Sequence, residues 1–136
     1  MCKINFEKLL GLKRKIKIAI VGSRDFVDFE EFKEKVTPIF LELVGNIDCI
    51  ISGGAKGADS LAEEYAKVNK INTVIYRPDW KKYGRGAGIV RNRAIIENSD
   101  LVIAFIKNNS RGTTNSIKVA RELNKELMVF ELDLKY

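Results

Sequence analysis

Apolar runs and segments of helical spacing alternate along this 136-residue chain from residue 16 to residue 132. "IKIAIVG" (16–22) predicts a buried strand, and "FEEFKEKVTPIFLELV" (29–44) predicts a helix. In that helix Phe29, Phe32, Val36, Ile39, Phe40, Leu43 and Val44 fall close to helical spacing. Asp28 stands where its N-cap belongs, and Pro38 inside the pattern predicts a kink or a break. "DCIIS" (48–52) predicts a second strand, "ADSLAEEYAKVN" (58–69) a second helix, and "NTVIYR" (72–77) a third strand ended by Pro78. An irregular stretch at 78–87 precedes a short helix at 88–99. A strand at 100–106, a helix at 112–124 and a strand at 126–132 complete the pattern.

Continuous apolar strands alternating with helices predict a parallel sheet covered on both faces. Right-handed crossovers then give a Rossmann-like, doubly wound α/β fold, with five strands in the order 3-2-1-4-5. In such sheets ligands sit beyond the carboxyl ends of the strands, where the strand order reverses. The polar and glycine-rich segments all fall at those ends. They are "GSRDF" (22–26), "SGGAKGAD" (52–59), "RPDWKKYGRGAG" (77–88) and "KNNSRGTT" (107–114), whereas the opposite connections are short and plain.

Three glycines in "SGGAKGAD" pose a question: they serve a tight turn, or they cradle an anion. Backbone N–H groups at a helix start favour a phosphate, which makes Gly53, Gly54, Ala55, Lys56 and Gly57 candidate contacts. The Gly-Lys-Ser/Thr ending of a Walker motif is missing. Asp59 suits either a ribose hydroxyl or a structural cap on the helix, with the structural role favoured. Ser110, Arg111, Gly112, Thr113 and Thr114 repeat the arrangement after the fourth strand, with helix capping as the plainer role for Ser110 or Thr113. Gly22, Ser23 and Arg24 follow the first strand, and Arg91 and Asn92 open the third helix. Trp80, beside Asp79 and Tyr83, serves either as part of a lid packed on the sheet or as a stacking surface for a base.

Composition narrows the chemistry. Histidine is absent, which removes the commonest general base and metal ligand. The two cysteines, Cys2 and Cys49, lack metal or disulfide spacing, which fits a reducing, cytoplasmic setting. Neither a membrane helix nor a signal-peptide pattern is expected. The net charge is +6, of which residues 1–17 carry +5, leaving +1 for the other 119. Residues 1–15 are therefore read as a basic extension, solvated or dimer-contacting in preference to a nucleic-acid arm, ahead of a single domain at 16–136. The stretch 79–93 holds five basic residues against one acid, a local cluster suited to an anionic ligand.

The segments "VGSRDF", "ISGGAKGADSLAEEYA", "RPDW", "YGRGAGIVRNRAII", "SDLVIAF" and "SRGTTNSI", in this order, resemble the SLOG superfamily of Rossmann-like proteins. Within it they resemble the small stand-alone YspA-type members, over about residues 16–130. That superfamily includes the LOG phosphoribohydrolases, the DNA-processing protein DprA and sensor domains for nucleotide-derived signals. The resemblance implies a nucleotide or ADP-ribose-like ligand at these loops. It also exposes a departure. LOG enzymes carry Pro-Gly-Gly-x-Gly-Thr-x-x-Glu with a catalytic glutamate, and an arginine on the preceding helix. Arg91 falls on that arginine, and Gly112 and Thr113 fall on the Gly-Thr pair. Ser116 falls on the glutamate, and no Pro-Gly-Gly occurs around Asn109, Ser110 and Arg111.

The expected function is thus binding of a phosphorylated nucleoside or nucleotide-derived small molecule, as a sensor or sequestering module, without LOG-type catalysis. No cofactor or metal is expected, and a homo-oligomer is. Two alternatives stand: an N-glycosidic hydrolase using Asp25, Asp59 or Asp79 in place of the glutamate, and a DprA-like single-strand DNA binder. The second is disfavoured by a body charge of only +1.

Overall fold

The apolar strand segments assemble as the periodicity requires. A computed structural model of the protein describes residues 4–107 and 110–132. The chain begins with α1 (Phe6–Leu10) and β1 (Ile16–Gly22), then α2 (Phe29–Glu42), β2 (Ile47–Ser52), α3 (Ala58–Val68) and β3 (Thr73–Ile75). It continues with α4 (Trp80–Tyr83), a 3-10 turn (Gly84–Gly86), α5 (Ala87–Glu97), β4 (Leu101–Ile106), α6 (Arg111–Glu122) and β5 (Glu126–Glu131). The strands form one parallel sheet in the order β3-β2-β1-β4-β5, with Ala19 of β1 beside Ile51 on one side and Val102 on the other.

Alternation along the central strands divides the core in two. Ile18, Ile20, Ile50, Ile103 and Phe105 pack with α2 and α3, where Phe32 stacks on Phe105. Ala19, Val21, Ile51, Val102 and Ala104 pack with Ile95 and Ile96 of α5 and Ile117 and Ala120 of α6. Helices therefore cover both faces, and the sheet is a Rossmann-like α/β sheet.

Local differences from the periodicity have physical causes. Asp28 does cap α2, its carboxylate accepting from Glu31 N–H at 3.0 Å. The helix runs on through Pro38 without a break. The third strand shortens to three exposed residues at the sheet edge, and the stretch after it folds into α4 and the 3-10 turn. Residues 4–15 are neither solvated throughout nor free to meet another subunit as a detached arm. Leu9 is buried in the core, and Arg14 grips Asp100 through two nitrogens at 2.7 and 2.8 Å. Among the described residues no helix is long and apolar enough to cross a membrane.

Candidate functional site

Strand order reverses between β1 and β4, so the loops leaving their carboxyl ends diverge and open a crevice. A cleft of about 560 Å³ lies there. Gly22 at the end of β1, with Ser23 and Arg24 after it, forms its base; Arg91 and Asn92 of α5 and Gly112, Thr113 and Ser116 of α6 form its walls. Ala55 reaches it from the loop after β2, Asp59 from the first turn of α3, and Ser110 and Arg111 from the start of α6.

Ser23 is built into this framework. Its hydroxyl accepts from Lys107 N–H at 2.9 Å and donates to Lys107 C=O at 3.3 Å, joining the loop after β1 to the loop after β4. Its carbonyl accepts from Ala58 N–H at 3.2 Å, which seats the start of α3. Ser23 therefore lines the cleft but spends its hydrogen bonds on architecture.

The three glycines are explained by close approach. Gly57 has φ +78°, and a Cβ there would collide with the Ser23 carbonyl and lie 2.5 Å from the Arg24 carbonyl. Only glycine lets α3 begin against the loop after β1. A Cβ on Gly53 would lie 2.6 Å from Arg91 Nη1. At Gly54, with φ +71°, the neighbours are Arg77 and Ile75, away from the cleft. The motif shapes the turn: Gly57 lies against Ser23 and Arg24, and Gly53 against the Arg91 guanidinium and the Asp59 carboxylate, all four of them cleft residues.

Arg91 and Asp59 form the electrostatic centre. Arg91 Nη1 donates to the Gly53 carbonyl at 2.6 Å and the Tyr76 carbonyl at 3.3 Å, while Nε donates to Asn92 Oδ1 at 2.9 Å. Asp59 is buried and accepts from Ala55 N–H at 3.1 Å. Burial pushes the Asp59 carboxyl above the ordinary range, against the pull of the Ala55 N–H and the Arg91 charge. Burial likewise lowers Arg91, Asp59 opposing it and the Arg24 charge adding to it. Asp59 thus clamps the glycine loop through the Ala55 N–H.

At the other wall, Ser110 occupies the N-cap position of α6, yet its side chain accepts no capping hydrogen bond. Its hydroxyl instead lies 3.4 Å from Thr113 Oγ1. First-turn residues of this twelve-residue helix line the cleft, so the positive end of the dipole opens onto it. Five cations, Arg24, Arg85, Arg91, Lys107 and Arg111, stand around the cleft against two carboxylates, Asp25 and Asp59. Arg24, Arg85 and Arg111 form no ion pair among the described residues, whereas Lys107 lies 3.9 Å from Asp25.

Several candidates lie off the cleft lining. Lys56 is exposed beside it, Thr114 lines a separate groove on α6, and Asp79 caps α4 by accepting from Lys82 N–H. Trp80 is 58% exposed, so it is not packed on the sheet as a lid. Asn109 lies outside the described residues. Arg85, Lys107 and Ile89 were not singled out by the sequence reading, although Arg85 belongs to the basic 79–93 cluster and Lys107 opens the loop after β4. Among the described residues no group of three or more His, Cys, Asp or Glu could hold a metal ion.

The model of the YspA, cpYpsA-related SLOG family matches residues 16–83, half of the chain. The chain belongs to that SLOG family. It is 29% identical over 79 residues to the Gene 61 protein of Mycobacterium phage D29, covering 54% of this chain and 63% of the relative. It therefore spans less than two thirds of that relative's length. Among solved structures it is similar to DNA processing protein A from Helicobacter pylori, described for its single-stranded DNA binding mode. The TM-score is 0.66 at 25% identity, covering 90% of this chain and 68% of the other. The SLOG match ends at Tyr83, so it contains the glycine loop and α4. The cleft walls from α5 and α6 lie beyond it, in the part that the structural likeness extends to.

Proposed function

We propose that the cleft binds a phosphorylated nucleoside or nucleotide-derived ligand, and that the protein acts as a sensor or sequestering module without LOG-type hydrolysis. The observation that carries this is the surplus of cations around an uncapped helix start at the switch point of the sheet. A phosphate is held by the first-turn amides of α6, with Arg24 and Arg111 supplying charge-assisted hydrogen bonds. Both arginines are exposed and unpaired among the described residues, so neither must abandon a partner to bind. Membership of the SLOG family and likeness to a single-stranded DNA-binding protein both support a nucleotide or nucleic-acid ligand.

The catalytic half of the reading rests on Ser116, which is buried and lines the cleft where the resemblance implies a glutamate. A serine hydroxyl cannot carry the charge or exchange the proton that a carboxylate does. A hydrolase reading is favoured by one observation: Asp59 is a cleft carboxylate whose pKa is raised by burial.

Calorimetry with AMP, ADP-ribose and adenosine separates the possibilities. The two phosphorylated ligands bind, adenosine binds at least tenfold more weakly, and Arg24→Ala or Arg111→Ala each lowers AMP affinity about tenfold. Adenosine binding as tightly as AMP overturns the phosphate reading. Release of free base from nucleoside monophosphates, abolished by Asp59→Asn or Asp25→Asn, overturns the non-catalytic one. Release seen only in Ser116→Glu supports a binding site with the geometry of a hydrolase. Mass spectrometry of small molecules freed by denaturing the purified protein identifies the natural ligand.

A further inference from the structure

We propose that the exposed turn at residues 79–85 is a base-stacking platform beside the cleft, and that the ligand is a single-stranded nucleic acid crossing both. The proposal rests on the cleft reading for one end of the strand and adds a second, separate site.

All seven residues from Asp79 to Arg85 are exposed. They include Trp80 at 58% and Tyr83 at 43% exposure, two large rings that the core does not use. The turn is nevertheless held in shape. Asp79 Oδ1 accepts from Lys82 N–H at 3.1 Å, Tyr83 N–H donates to the Asp79 carbonyl at 3.0 Å, and Gly84 closes the turn at φ +54° with its N–H on the Trp80 carbonyl. Exposed aromatic rings on an ordered turn are ready to bind without a large ordering penalty.

The charges decide what kind of partner fits. Lys81, Lys82 and Arg85 form no ion pair among the described residues, and Lys82 Nζ lies 5.1 Å from the centre of the Tyr83 ring. The one acid in the turn, Asp79, is occupied as the cap of α4. Protein interfaces are depleted in lysine at their centres. Alternating rings and cations instead match the alternating bases and phosphates of a single strand.

Arg85 joins the two places. Neither Trp80 nor Tyr83 lines the cleft, whereas Arg85, at the end of the same turn, does. A ligand touching the rings and the cleft therefore meets a cation between them. The low body charge does not oppose this, because the cations needed are concentrated at one edge of the sheet.

Trp80 is the only tryptophan, so its fluorescence reports on the platform alone. The full chain is titrated with dTMP, with dT8 and with an abasic eight-unit deoxyribose-phosphate strand, by Trp80 quenching and by calorimetry. The expected result is that dT8 quenches Trp80 and binds at least tenfold more tightly than dTMP, while the abasic strand binds more weakly without quenching. Trp80→Ala and Tyr83→Ala each weaken dT8, followed by anisotropy of a 3′-fluorescein label, by about fivefold or more, with dTMP affinity unchanged. Both positions are exposed, and circular dichroism checks that the variants fold. Unchanged dT8 affinity in both variants, or an abasic strand that binds as well as dT8, overturns the platform. If dTMP binds but dT8 binds no tighter and does not quench, the platform fails and the cleft reading stands. If dT8 quenches and binds while dTMP does not bind, the cleft reading fails and the platform stands. If the double variant dissociates an oligomer in sedimentation without changing dT8 affinity, the face is an interface between copies and the proposal is overturned.

Discussion

Replacing Arg91 by alanine tests whether the centre of the cleft is architecture or recognition. The guanidinium joins α5 to the glycine loop through the Gly53 carbonyl at 2.6 Å and, more weakly, the Tyr76 carbonyl at 3.3 Å. Hydrogen bonds to a charged group contribute about 1.5–3 kcal/mol each. Half-burial of Arg91 and the poor length of the second bond reduce the sum, and Arg91→Ala is expected to destabilise by about 2–4 kcal/mol. For a domain of this size that is a fall in Tm of roughly 6–16 °C. The pH dependence adds a signature. Asp59 already has a raised pKa from burial, and Arg91 holds it down. Without Arg91 the carboxyl rises further, and its penalty on folding is full above its folded-state pKa. That penalty disappears as pH falls through the folded-state pKa towards the ordinary value of 3.8. The stability deficit of Arg91→Ala is therefore largest near neutral pH and shrinks as the solution is acidified. Adding Asp59→Asn recovers part of it at pH 7.5. Thermal unfolding of the four proteins of this double-mutant cycle, from acid to pH 7.5, measures the coupling. An Arg91→Ala protein within about 2 °C of the parent at pH 7.5, or a deficit that grows on acidification, would refute the reasoning.

Gly57→Ala is expected to lower stability by about 2–5 kcal/mol, from backbone strain at a positive φ and collision with the Ser23 and Arg24 backbone. A urea unfolding midpoint equal to the parent's would show that the loop after β1 can retreat. Asp100→Asn should lose about 1–2 kcal/mol of stability near neutral pH by weakening the bonds from Arg14 and the Lys17 N–H. Burial alone would raise the Asp100 carboxyl, but Arg14 and the Lys17 N–H outweigh it and hold it below the ordinary range. Its stabilisation is thus present above that range and lost as pH falls through the depressed pKa. Chemical unfolding of the two proteins should converge in strong acid, and a constant difference at every pH would contradict the assignment.

The fold was legible because strand residues such as Ile18, Ile20, Val102 and Ile103 are buried on one face or the other of a fully covered sheet. Such strands read as unbroken apolar runs between helical patterns. The position of the cleft was legible for a related reason: polar loops gathered at one strand edge mark the only place where such a sheet can open. Less legible was the division of labour among its residues. "SGGAKGAD" looks alike whether its glycines meet a phosphate or meet Ser23, Arg24, Arg77 and Arg91. Distances across loops that are far apart in sequence decide between these, and no local pattern contains them. Ser23 and Lys107 lie 84 positions apart yet share two hydrogen bonds. Arg85 was missed as an individual because a single arginine between glycines carries no period.

The residues in and beneath the cleft separate into those already committed and those still free. Gly53, Gly57, Ser23, Asp59 and Arg91 hold one another, and through them β1, β2, α3 and α5 are fixed together. Arg24, Arg85 and Arg111 are exposed and unpaired among the described residues, and they stand around the cleft on three different elements. A substitution in the first group moves the loops and so alters stability and binding together. A substitution in the second changes only what the cleft attracts. Such a separation lets one Rossmann-like framework keep its crevice at the switch point of the sheet while side chains outside the packed group change what it attracts. Specificity in this protein is therefore to be sought in Arg24, Arg85, Arg111 and the neighbouring Trp80–Tyr83 turn rather than in the glycines that first draw the eye.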